Sequence, residues 1–115
     1  MTVLTNPAAA WIDVGALEDI PQRGARRVST ADGDVAVFRT HDDRIFALRD
    51  RCPHKHGPLS QGIVHGHAVA CPLHNWSISL VTGEAMGADA GGGCTPTVPT
   101  QVENGRVFIS VGAGA

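Results

Sequence analysis

Short apolar or alternating runs recur along the chain, each cut off by a turn rich in Gly, Asp, Asn or Pro. That rhythm predicts strands. Trp11 to Val14 reads as a first strand. Val35-Ala36-Val37-Phe38-Arg39 follows Asp32-Gly33 and reads as another. His41-Asp42-Asp43-Arg44 makes a turn, and Ile45-Phe46-Ala47-Leu48 returns as a hairpin partner. Ile63 to Ala70 reads as two short strands around Gly66. Trp76 to Leu80 alternates apolar and polar positions, as a half-buried strand does, and stops at Thr82-Gly83. Residues 87–96 are Gly-rich and read as a loop. Val98 to Val102 and Arg106 to Val111 flank Glu103-Asn104-Gly105, a strong hairpin signal. The one helix candidate, Gly15 to Ile20, is too short to change the class. The pattern predicts an all-β sandwich or barrel.

Length and composition narrow this further. The 115 residues are the size of one domain, and 43% apolar content is enough for a core. Residues 1–9 read as a loose N-terminal leader and 10–113 as the folded domain. The net charge of −2 has no block of like sign, which argues against a nucleic-acid partner. No run of eighteen apolar residues and no targeting segment is present, so no membrane association and a cytoplasmic location are expected.

The chemistry sits in two boxes. Cys52-Pro53-His54 is followed after sixteen residues by Cys71-Pro72-Leu73-His74. Each box offers one thiolate and one imidazole. The hairpin around Gly66 would bring the boxes side by side in space. The chain has only three cysteines, Cys52, Cys71 and Cys94, too few for an all-thiolate cluster held by one chain. With two of them committed to metal, no disulfide is left within the chain, which fits a reducing compartment. A Cys2His2 zinc site stays open as a rival, although such sites usually pair like ligands at close spacing. Two thiolates and two imidazoles are also what a Rieske [2Fe–2S] centre needs, since two His replace two Cys on one of its irons.

The C-x-H-x16-C-x-x-H pattern closely resembles the Rieske family, from about residue 10 to 111. The resemblance implies stacked antiparallel sheets with a small cluster-binding subdomain inserted at about residues 50–80. It implies Cys52 and Cys71 on one iron and His54 and His74 on the outer iron. High-potential members carry an extra Cys in each loop; Gly57 and Leu73 stand at those positions here. They also present Ser and Tyr hydroxyls to the cluster, whereas this chain has no Tyr and Asn75 follows His74. Fewer hydrogen bonds to the sulfurs lower the potential, so a low-potential soluble member is expected.

Within that family, His56 to Gly66, Asn75-Trp76 and the Gly87 to Pro96 loop resemble the small subunit of assimilatory NAD(P)H-dependent nitrite reductase. This implies an electron-transfer subunit bound to a large sirohaem and FAD subunit that takes nitrite to ammonium. The alternative is a Rieske ferredoxin that delivers electrons to an aromatic-ring-hydroxylating dioxygenase. The triplet Gly91-Gly92-Gly93 departs from the nitrite reductase pattern as a small insertion. No nucleophile–base constellation is evident, so no substrate site is expected. His41, His56, His65 and His67 read as exposed neighbours or turn residues, and Cys94 as a small, partly buried loop residue. Pro58, Leu59, Leu73 and the Gly87 to Pro96 loop are the expected partner surface.

Overall fold

Val35-Ala36-Val37-Phe38 is apolar at every position, and all four side chains are fully buried. A strand with one wet face alternates; one without alternation is covered on both faces. The computed structural model, which describes residues 10–30, 33–50, 58–72, 77–86 and 93–111, gives the reason. Its strands are β1 (Ala10–Ala16), β2 (Gly24–Thr30), β3 (Gly33–Arg39), β4 (Ile45–Arg49), β5 (Ile63–His65), β6 (Ala68–Ala70), β7 (Ser77–Ser79), β8 (Thr97–Val98), β9 (Thr100–Glu103) and β10 (Arg106–Val111). They form three antiparallel sheets ordered β1-β10-β9, β2-β3-β4-β8 and β5-β6-β7.

The four-stranded sheet is the middle layer. From β3 and β4, Val35, Val37, Ile45 and Ala47 pack with Val14, Ile20, Val107 and Ile109 on one side. Ala36, Phe38 and Leu48 pack with Leu59, Val64, Val69, Ile78 and Leu80 on the other. Successive side chains of a strand point to opposite faces, so an unbroken apolar run feeds both cores. The expected all-β, stacked antiparallel fold is the observed one.

Several boundaries differ from the sequence expectation. β2 was not expected. It is an edge strand whose Arg26 and Arg27 are exposed, and its only apolar side chains are Ala25 and Val28. The stretch Val98 to Val102 is two strands, not one. Pro99 has no N–H to give a ladder, and the chain leaves the middle sheet there for the outer one. The Pro99 carbonyl accepts from Ser110 N–H at 3.0 Å. The helix candidate is a single 3-10 turn, Leu17–Asp19. The Asn104-Gly105 hairpin forms as expected, both residues having positive φ. The proposed leader, residues 1–9, lies outside the described residues.

Candidate metal centre

Both candidate ligand boxes join the chain at one end of the β5-β6-β7 sheet, the first entering β5 and the second leaving β6. Ile63 pairs with Ala70 and Ala70 with Ser77. The first box therefore returns to the sheet beside the point where the second departs, as the Gly66 hairpin implied. The approach is close. A Cβ added at Gly62 would lie 2.2 Å from the Ala70 carbonyl oxygen and 2.9 Å from Val69 Cγ2. No real Cβ sits that near a backbone atom, so residue 62 has to be glycine.

The neck of the first box is closed by side chains. Asp50 ends the limb that leads out, and Ser60 lies in the 3-10 turn Leu59–Gln61 on the returning limb. The two Asp50 carboxylate oxygens accept from Ser60 N–H and Ser60 O–H, each at 2.7 Å. Leu59 beside it is fully buried in the core between the middle sheet and β5-β6-β7. Leu59 therefore cannot belong to a partner surface, contrary to the sequence expectation.

Of the four candidate ligands, Cys71 is described. It follows β6, is 1% exposed, and packs with Leu59, Val69 and Ile78. Cys52, His54 and His74 lie at 51–57 and 73–76, outside the described residues. So do His56, Leu73 and Asn75-Trp76. The described frame fits an iron–sulfur group. It places a soft sulfur donor against an apolar wall that keeps water away, at the junction of two loops whose bases touch.

The Gly-rich loop springs from the same end. Met86 N–H donates to Ser77 carbonyl at 2.8 Å, next to the second box. The return limb pairs with the outgoing one: Ala85 N–H donates to Gly93 carbonyl at 3.0 Å, and Thr95 N–H to Gly83 carbonyl at 2.7 Å. Gly83 has φ +79, and a Cβ there would meet Thr95 oxygen at 2.0 Å. Residues 93–95 are thus a paired limb rather than loose loop, while 87–92 lie outside the described residues. Cys94 is exposed, not partly buried as expected: it bridges Glu84, which is exposed too, while the neighbours Ala85 and Thr95 are buried.

Across this end, Ile63, Ala70, Ser77 and Met86 form one row on the face opposite the core residues Val64, Val69, Ile78 and Ala85. Ile63 is 69% exposed and Met86 41%. These two, which the sequence reading passed over, are exposed apolar side chains beside the ligand loops.

The histidines of the other end are not idle. His67 Nε2 lies 3.1 Å from Asp42 Oδ2, across from the β3–β4 turn. Its ring stacks on His41 with centroids 6.2 Å apart and tilts against Phe46 at 5.6 Å. A hydrogen bond from the Thr40 hydroxyl, then one from His67 and its charge, hold the Asp42 carboxyl down to about 2 against partial desolvation. His67 thereby fastens the β5-β6 turn onto the middle sheet. It sits at the opposite end of the hairpin from the boxes, and His65 is exposed there.

Comparison with known proteins agrees with this geometry. The family model for the Rieske [2Fe-2S] domain matches residues 10–99. The 3-phenylpropionate/cinnamic acid dioxygenase ferredoxin subunit of Photorhabdus laumondii is 37% identical over 102 residues, covering 83% of this chain and 89% of that protein. Among solved structures, a chain in the complex of reduced oxygenase and oxidised ferredoxin of carbazole 1,9a-dioxygenase superposes with a TM-score of 0.77 at 26% identity. It covers 87% of this chain and 92% of its own. A structure described as an NADH-dependent nitrite reductase small subunit from Mycobacterium tuberculosis gives a TM-score of 0.80 at 24% identity, covering 89% and 95%. At that identity the likeness is one of fold. No helix among the described residues is long and apolar enough to cross a membrane.

Proposed function

Because the chain belongs to the Rieske [2Fe–2S] domain family, and is therefore an electron-transfer protein carrying that cluster, we propose that it serves as the ferredoxin component of an aromatic-ring-hydroxylating dioxygenase. One observation carries the choice of system: the 37% identity to a dioxygenase ferredoxin subunit runs over 83% of this chain. The nitrite reductase small subunit, which the loop residues put first in the sequence, becomes the second reading. It rests on Asn75-Trp76, the Gly87 to Pro96 loop and a likeness of fold.

In this proposal Cys52 and Cys71 hold one iron, and His54 and His74 the other. When bound, the cluster supplies reversible one-electron transfer. The chain's own part is to shape its surroundings. Leu59, Val69 and Ile78 wall off Cys71 from water. The Gly62–Ala70 contact holds the two loop bases together. Ile63 and Met86 offer an apolar margin at which a redox partner can approach.

The test is reconstitution. The reduced holoprotein is mixed with the terminal oxygenase of a 3-phenylpropionate/cinnamic acid dioxygenase or with a sirohaem nitrite reductase large subunit, and cluster reoxidation is followed. Turnover-dependent oxidation by the oxygenase is expected. Binding to the nitrite reductase subunit, with faster nitrite reduction and no transfer to the oxygenase, would instead establish the second reading.

A further inference from the structure

We propose that Asp50 is a positioning residue for the ligand loop that carries Cys52 and His54. The inference rests on the ligand assignment above. Asp50 is tied in two directions. Its N–H donates to the Asp34 carbonyl at 3.0 Å, which continues the pairing of the middle sheet beyond β4. Its carboxylate spans to Ser60, ten residues on, and takes both the backbone and the hydroxyl proton of that residue. Both residues are part-buried. Two acceptors on one carboxylate meeting two donors on one residue fix orientation as well as distance. Ser60 in turn is flanked by Leu59, which is seated in the core, and the Gly62 N–H returns to the Leu59 carbonyl at 2.9 Å.

The first ligand loop is therefore suspended between a strand end and a core-anchored turn, with Asp50 as the strut. Slack at this neck would pass directly into the placement of the loop's sulfur, imidazole and backbone N–H groups. Those placements, and the hydrogen bonds to cluster sulfurs, set the electronic character of such a centre.

The experiment uses the full chain purified anaerobically as the holoprotein, in the forms Asp50→Ala, Asp50→Asn, Ser60→Ala and Asp13→Ala. Each is measured for EPR of the reduced state, midpoint potential, iron release to a chelator and thermal unfolding. Asp50→Ala is expected to release iron about tenfold faster, with a shifted potential and an altered EPR signal. Asp50→Asn keeps an amide oxygen that can accept one of the two bonds, and should recover much of the slow release. Ser60→Ala alters no charge, so a change of EPR signal or potential there reports loop geometry alone. Asp13→Ala, which breaks a remote pair with Arg106, should leave all cluster readouts as in the parent.

Wild-type EPR, potential and release in both Asp50→Ala and Ser60→Ala, or a change confined to thermal stability, would overturn the proposal. If Asp50→Ala does not accumulate with a cluster, Ser60→Ala decides it by the same readouts. Failure of the ligand assignment is separable: it would appear as a cluster that survives Cys52→Ala, which leaves no donor atom at that position.

Discussion

At position 62 a single methyl group decides whether two ligand loops can share a base. Gly62→Ala places a carbon against the Ala70 carbonyl oxygen, a backbone atom that cannot swing aside. The expected cost is about 1–3 kcal/mol or more, as for other overpacked sites, together with loss of bound iron. Urea unfolding and iron content of the purified variant check both. The Asp42 carboxyl makes a second prediction at this scale. Its folded value of about 2 lies below the ordinary 3.8. A depressed carboxyl stabilises the fold above the unfolded value and loses that contribution as pH falls through the folded one. Stability should therefore drop between about pH 4 and pH 2. Asp42→Asn, which cannot titrate, should flatten that part of the curve while lowering stability at neutral pH. Denaturant midpoints across the range test it; an unchanged acid slope would refute the role given to the Thr40 and His67 contacts of Asp42.

Among the elements, β3 has the hardest task, since it faces two cores at once. Phe38→Ala empties a fully buried site between β3 and the β5-β6-β7 sheet. It should cost about 3–5 kcal/mol, and iron should be lost at lower denaturant than in the parent, because the wall behind Cys71 loosens. The outer row of the small sheet behaves differently. Ile63→Ser and Met86→Ser remove exposed apolar surface, so the fold and the cluster's visible spectrum should stay as they are. In the proposed dioxygenase system, the rate of electron delivery to the terminal oxygenase should fall. An unaltered rate in the double variant would show that the partner does not approach by this margin.

For the whole molecule, the family carries the cluster and the local sequence tunes it. The purified protein should be red-brown, with two irons and two labile sulfides per chain, as a Rieske centre requires. Its midpoint should fall in the lower part of the family range of about −150 to +300 mV. The reasons are Gly57 and Leu73 at the disulfide positions and the absence of Tyr. Protein-film voltammetry decides this, and a value above about +100 mV would contradict it.

The sequence by itself determined the class of fold, the metal chemistry and most strands. Unbroken Val35–Phe38 and Ile45–Leu48, the Asn104-Gly105 turn and the mixed Cys–His boxes are local signals whose physics acts within a few residues. Only the tertiary structure decided which of these signals met. That VAVF is buried on both faces, that Leu59 is core and Ile63 surface, and that β2 pairs at all despite Arg26 and Arg27 depend on neighbours distant in the chain. The Asp50–Ser60 and His67–Asp42 contacts, ten and twenty-five residues apart, follow no spacing rule. Each is fixed by where two sheets place their loop ends, and no local periodicity encodes that position.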